Sequence, residues 1–402
     1  MNIIITGTGF AFPDGTGSTS RVIAFSKGIL KNGGFVNVIC PKPTENHETG
    51  DRNIQLKGVY EGIPFEYTCG RRLIASTRFG ALFLYLKGLW QSYIAILRIH
   101  KNMPVNAIIL WYGELPMNFI FYFMVARIIG AFLILEKSEY PFVYSKKTIS
   151  INMLMMFYEK ITLKIIDGVI VISGFLKDYI DKHIGESGKI IEIPIMVDIE
   201  RFVFDDQKKG PLKNKIIYCG NLDHHSEIIN LLKSFKLIAN NYPQWSLEII
   251  GQMPDLSTTI HFNQFLKDNV LDGRVIFVGA VSSAKIPEKL IDGDIMVLPR
   301  ASGIFSSAGF PTKLGEYLST GKPVIVTTTG NISKYLSDRK NAYLVSPDNV
   351  DEFAEALKYV IIHYDEGIEV GQNGREVAIR EFDLNIQCKR LLCFIKDLNN
   401  TK

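Results

Sequence analysis

Short runs of β-branched and aliphatic residues alternate along this chain with longer stretches of 3.6-residue periodicity, the pattern of a mostly parallel sheet wrapped by helices. In the first half, Ile3 to Thr6, Val36 to Cys40, Phe65 to Thr68, Ala107 to Leu110, Ala131 to Leu135, Gly168 to Ile172 and Ile190 to Ile193 read as strands. Helical patterns separate them at Thr19 to Asn32, Phe79 to Arg98 and Asn152 to Ile166. Around residues 203–214 the composition turns polar, and FDDQKKGPLKN reads as a linker. The alternation restarts at Lys215 to Cys219 and continues through Leu247 to Ile250, Val275 to Val278, Asp294 to Leu298, Pro323 to Thr327 and Ala342 to Val345. Asn385 to Leu398 follows as an amphipathic helix with no strand after it. The expected organisation is two Rossmann-like α/β domains, residues 1–203 and 204–380, with a cleft between them and a helix in 381–402. Open α/β sheets bind ligands at the carboxyl ends of their strands, so the candidate chemistry is sought there.

Size supports two domains, because 402 residues exceed what one hydrophobic core accommodates. With 45 basic and 41 acidic residues the net charge is only +4, too even for a dedicated nucleic-acid binder but suited to an anionic donor or membrane surface. Cys40, Cys69, Cys219, Cys388 and Cys393 are odd in number and scattered, with neither disulfide nor zinc spacing, and read as buried thiols of a reducing compartment. The seven histidines form no metal-binding motif. Met1 leads directly into a strand and a glycine turn without a secretory signal, so a cytoplasmic location is expected. The apolar run Met117 to Leu135 is just long enough to span a bilayer. Arg127 and Gly130 interrupt it, and a buried helix followed by a core strand gives the same run; peripheral contact at the inner face of the plasma membrane stays open.

The most informative window runs from Ile295 to Thr328. It reads as a buried strand, a Gly/Ser-rich loop, a helix opening at Pro311 with Thr312, Lys313, Leu314 and Glu316, a Gly-Lys-Pro break and another buried strand. A loop of small residues entering a helix start is an anion pocket, because unpaired N–H groups point outward and the helix dipole favours negative charge. Lys313 adds a full positive charge there, and Glu316 is placed to accept hydrogen bonds from sugar hydroxyls. Cation and backbone for phosphates, with a carboxylate for a ribose, suit a nucleoside diphosphate.

This Pro-x-Lys-Leu-x-Glu-Tyr segment, with the following Gly-x-Pro-Val-Ile strand, resembles the donor-binding segment of family 4 glycosyltransferases, which have the GT-B fold. The family carries two glutamates eight positions apart; Glu316 matches the second, whose role there is to hold the ribose, whereas Ala308 stands at the first. The resemblance implies two Rossmann-like doubly wound domains facing a central cleft, with the helix after residue 381 crossing back to the first domain. It also implies transfer of a sugar from a nucleotide-diphosphate donor to a saccharide or lipid-linked saccharide acceptor, with retention and no metal cofactor. The variant seen here is similar to a subset associated with cell-surface polysaccharide synthesis.

Other positions follow the same resemblance. Gly15, Gly17 and Ser18, after the first strand, correspond to a glycine-rich wall of the donor or acceptor site, with Ser18 or Thr19 as helix cap; a merely structural turn is the alternative. Gly220 and Asn221 stand where the family has Gly-Arg, and His224, His225 and Ser226 occupy the region of a family lysine. Asn221 and His225 can donate neutral hydrogen bonds to phosphate while Lys313 and Arg300 supply charge, or the histidines are simply solvated loop residues. Glu114, Glu136 and Glu139 follow strand ends, where a carboxylate can take a proton from an acceptor hydroxyl; Glu139, before Pro141, is the preferred base, against a capping or salt-bridge role. Arg71, Arg72 and Arg78 form a basic cluster suited to an anionic or lipid-diphosphate acceptor, or a solvated surface run. A non-catalytic GT-B binding subunit and a GT-B nucleotide-sugar epimerase are the rival readings.

Overall fold

The computed structural model of the chain describes residues 1–45, 52–111, 116–140, 149–184, 189–202, 211–222 and 225–400. They form two compact units, residues 1–196 with 384–402, and residues 197–383. Most of the linker, residues 203–210, lies outside the described residues.

Unit 1 runs β1 (Asn2–Gly7), α1 (Gly17–Lys31), β2 (Phe35–Cys40), β3 (Lys57–Tyr60), β4 (Ile63–Tyr67), α2 (Arg78–Asn102), β5 (Ala107–Trp111), α3 (Pro116–Ile129), β6 (Phe132–Lys137), α4 (Ile149–Ile165), β7 (Gly168–Val171), α5 (Gly174–Ile184) and β8 (Ile190–Glu192). The eight strands order as β3-β4-β2-β1-β5-β6-β7-β8. All pairs are parallel except β3 with β4. β3 is an element the apolar pattern misses. Its four residues are exposed or half-buried at a sheet edge, so no apolar run marks them. The hairpin instead rests on Glu61 and Gly62, both with positive φ (47° and 81°), the backbone that a two-residue turn with the right twist requires. The apolar run from Met117 resolves into α3 and then β6, a helix and a strand and not a span.

Unit 2 runs β9 (Lys215–Cys219), α6 (His225–Ala239), β10 (Ser246–Ile250), α7 (Leu256–Asp268), β11 (Val275–Gly279), α8 (Ile286–Ile291), β12 (Ile295–Leu298), α9 (Ile304–Ala308), α10 (Thr312–Ser319), β13 (Val324–Thr327), α11 (Ile332–Tyr335), β14 (Tyr343–Val345), α12 (Val350–Ile362) and α13 (Tyr364–Val377). Its six strands are all parallel, in the order β11-β10-β9-β12-β13-β14. The central strands are buried on both faces, which is why they read as unbroken apolar runs.

The chain then returns to unit 1 as α14 (Leu384–Asn400). Cys388, Leu391, Leu392, Ile395 and Leu398 enter the unit 1 core beside Val22, Phe25 and Ile29 of α1. The two helices touch at Gly28, where a β-carbon would stand only 2.3 Å from the Cys388 Sγ, so no larger residue fits without moving a helix. Four of the five cysteines are buried as expected; Cys393 is exposed, on the outer side of α14.

Candidate functional site

In unit 2 the strand order reverses at β9, whose neighbours β10 and β12 lead away in opposite directions. Beyond the carboxyl ends of β9 and β12, the chain enters α6 on one side and α9 and α10 on the other. This is the switch point at which open α/β sheets bind ligands.

Glu227 on α6 accepts a hydrogen bond from the Ala301 N–H (3.2 Å), tying the start of α6 to the loop after β12. Tyr317 on α10 is fully buried, and its hydroxyl accepts from the Cys219 N–H (2.6 Å) and donates to the Cys219 carbonyl (3.0 Å). One phenol therefore pins α10 to the last residue of β9. Neither tie is visible in the sequence, since partners 74 and 98 positions apart share no local pattern.

The stretch expected as a Gly/Ser loop contains the short helix α9, and α10 begins one residue later than expected, with Pro311 at its N-cap. Thr312 is its first residue and Leu314 is buried. No side chain caps α10 and no acid lies in its first turn, so its leading N–H groups keep their positive end for an incoming anion. Lys313 Nζ lies 2.7 Å from Glu316 Oε2, with side chains 28% and 18% exposed. Burial works against the Lys313 charge, but the Glu316 carboxylate outweighs it and the pKa rises. Arg201, which the sequence reading did not single out, is close enough to pull that pKa back. Burial also pushes the neighbouring Cys219 thiol up to about 11.

Arg300 lies between Tyr218, Glu227 and the α9–α10 junction, its Nη2 3.9 Å from where a β-carbon on Gly309 would stand. Burial lowers its pKa, and the charges of Glu227 and Tyr218 oppose the shift. Its Nη1 is buried without a hydrogen-bond partner among the described residues. A desolvated guanidinium nitrogen that bonds to nothing is poised for an oxyanion.

Gly220 N–H donates to the Ile250 carbonyl (3.0 Å), and the exposed Asn221 accepts at its carbonyl from the Tyr218 hydroxyl (3.2 Å). His225 opens α6, exposed, with its ring stacked on Phe262 at 5.0 Å. His224 lies outside the described residues, as does Glu114. Ala308 is fully buried at the end of α9.

In unit 1, Gly15 lines a cavity of about 580 Å³ together with Phe10, Lys42, Arg52, Leu84 and Tyr85. Gly17 and Ser18 fall in the first turn of α1, which starts two residues before the predicted helix with Thr16 at its N-cap. The expected caps are not made: Thr16 makes no side-chain cap bond, and Thr19 Oγ1 donates instead to the Ala11 carbonyl (2.7 Å). Among the carboxylate candidates, Glu136 is excluded from a free acid–base role. It is fully buried and bonded to Arg21 Nε (2.9 Å), whose other nitrogens donate to the carbonyls of Pro194 (2.6 Å) and Ile193 (2.8 Å). Burial raises the Glu136 pKa, against the pull of Arg21. Glu139 is exposed just beyond β6. No three His, Cys, Asp or Glu side chains converge on a metal-binding point among the described residues.

Residues 200–377 match the family model "Glycosyl transferases group 1". This segment is therefore similar to the group 1 glycosyl transferases. It spans unit 2 almost end to end and contains every unit 2 residue of the site just described. Among curated relatives, the GDP-mannose-dependent alpha-(1-6)-phosphatidylinositol monomannoside mannosyltransferase of Mycobacterium tuberculosis is 21% identical over 241 residues, 57% of this chain and 62% of that protein. The putative teichuronic acid biosynthesis glycosyltransferase TuaH of Bacillus subtilis is 29% identical over 155 residues, 38% of this chain and 35% of that protein. Both matches span less than two thirds of those relatives. The sucrose-phosphate synthase of Thermosynechococcus elongatus superposes with a TM-score of 0.75 at 17% identity, covering 100% of both chains. The matched segment and the sheet before it thus share the GT-B fold of two Rossmann-like sheets.

Proposed function

We propose that this chain transfers a sugar from a nucleoside diphosphate sugar to a saccharide or lipid-linked saccharide acceptor, with retention, in the synthesis of cell-surface polysaccharide. The carrying observation is the buried, unpartnered Nη1 of Arg300 beside the uncapped start of α10, with Lys313 on its first turn. In this reading the two cations and the helix N–H groups neutralise the departing diphosphate, the main catalytic contribution when no other electrophile acts. Glu316 holds the ribose, Gly220, Asn221 and His225 complete the donor contacts, and Glu139 accepts the proton of the acceptor hydroxyl. Two relatives' names support the acceptor class, one acting on a phosphatidylinositol mannoside and one assigned to teichuronic acid biosynthesis.

The test is calorimetric titration with UDP and GDP, followed by assay of nucleotide release from UDP- and GDP-sugars with and without saccharide acceptors. One diphosphate is expected to bind, and its sugar donor to hydrolyse slowly, faster with acceptor present. Absence of binding by either nucleotide overturns the assignment. Binding without turnover across the donor panel instead supports a non-catalytic subunit, the reading that the alanine at position 308 favours.

A further inference from the structure

Three neighbouring helices of unit 1 each expose an apolar stripe. On α2 the stripe is Phe79, Leu82, Phe83, Leu86, Trp90 and Ile94, with Phe79 81% and Phe83 60% exposed. Spacings of three and four residues put all six on one side of the helix. Met117, Ile120, Met124 and Ile128 do the same on α3, and Phe157, Ile161 and Ile165 on α4. The helices lie side by side: the Tyr85 hydroxyl donates to Asn118, and the Phe119 ring sits edge-on to Tyr158 at 6.2 Å. Right-handed crossovers from β4 to β5, β6 and β7 place all three on the same face of the sheet. A continuous exposed apolar surface of this kind marks a docking site.

Charge identifies what docks. Across the 25, 14 and 17 residues of α2, α3 and α4 there is one acidic side chain, Glu159, and it is buried against Lys137. The basic residues number four on α2, one on α3 and two on α4. Arg98 and Arg127 are held by Glu66 and Asp167, while Arg78, Lys87, Lys101, Lys160 and Lys164 make no ion pair among the described residues. Aromatic and aliphatic stripes flanked by cations alone complement an anionic lipid headgroup layer. α2 is the one helix among the described residues long and apolar enough to cross a bilayer. Its inner side is nevertheless built into the unit: Ser92 Oγ lies 2.7 Å from Thr68 Oγ1, and a β-carbon on Gly88 would lie 1.7 Å from the Pro41 carbonyl oxygen. Crossing would tear that packing apart.

We propose that unit 1 docks on an anionic bilayer through the outer faces of α2, α3 and α4, with the helices in the interfacial plane. The same helix supplies Ala81, Leu84 and Tyr85 to the cavity holding Lys42 and Arg52, so docking sets that cavity at headgroup depth, where a lipid-linked acceptor is met. That use of the surface rests on the sugar-transfer reading; the docking is measured without turnover, so the two fail separately.

Of the three tryptophans, Trp111 and Trp245 are 0% and 2% exposed and Trp90 is 59% exposed, a built-in reporter. The full chain is mixed with vesicles of phosphatidylglycerol and phosphatidylcholine, or of phosphatidylcholine alone, and followed by flotation and tryptophan emission. Expected are flotation and a blue shift with the anionic vesicles only, both weakened by salt. Trp90→Phe should remove the shift but not the flotation. Phe83→Asp combined with Trp90→Asp should abolish flotation while nucleotide affinity and circular dichroism stay unchanged. Failure to float, or flotation that survives the double substitution, overturns the proposal. So does a concentration-dependent dimer, seen by sedimentation velocity, that the same double substitution dissociates, because the face then joins two copies of the chain.

Discussion

Arg300 is the residue on which the proposed donor site turns. A buried guanidinium without a bonded counter-ion is a cost to the folded chain, and it persists where a ligand supplies the missing oxygens. Tyr218 and Glu227 soften that cost at longer range without satisfying Nη1. Replacing the cation by a neutral amide in Arg300→Gln should therefore weaken nucleoside diphosphate binding about 10- to 100-fold, the value of one charge-assisted hydrogen bond. Affinity for the matching nucleoside, which has no phosphate, should not change. Calorimetry on both ligands checks this, and equal weakening of the two would show that the substitution damaged the site as a whole. Lys313 differs because it already has Glu316 at 2.7 Å; under the proposed donor binding, a ribose would compete for that carboxylate and leave the ammonium to the phosphates.

Among elements, α10 matters most, and Tyr317 is its anchor. Tyr317→Phe leaves the Cys219 N–H and carbonyl buried without their partner, costing about 2–6 kcal/mol for two unsatisfied groups. Urea denaturation should show that loss, with nucleotide affinity falling as the helix start is released from β9. An unchanged midpoint would mean that water or a shifted backbone replaces the phenol. The legibility of the elements follows the same physics. β1, β5, β9, β12 and β13 are buried on both faces and announce themselves as apolar runs, and the Pro311 to Tyr317 motif marked the segment that carries α10. β3 escaped because its residues face solvent, and α9 because its IFSSA sequence reads as loop. The Arg21–Glu136 pair was hidden for a different reason: its members stand 115 residues apart, and only the fold brings a helix and a strand end together. Sequence position put Glu136 and Glu139 at the same strand end with Glu139 preferred as base, and burial separates them further.

The whole molecule is organised by the way the chain divides between its units. Unit 1 is made of two pieces, 1–196 and 384–402, so its core is incomplete without α14. Removing residues 384–402 strips Cys388, Leu391, Leu392 and Ile395, all fully or almost fully buried, from that core. At about 1.5–3 kcal/mol for each large apolar side chain, the loss is comparable to the net stability of a domain. Calorimetric melting of the deletion variant is expected to lose the unit 1 transition while the unit 2 transition persists near its original temperature. Retention of both would show that α14 is dispensable. The split also sets an order of events during synthesis. A ribosome delivers residues 197–383 as one uninterrupted stretch before α14 emerges, so unit 2 can finish while its predecessor still waits for a helix. Until Leu384 and the residues beyond it leave the exit tunnel, the α1 surface around Gly28 stays uncovered, a vulnerable interval in which holdase chaperones have an apolar handle.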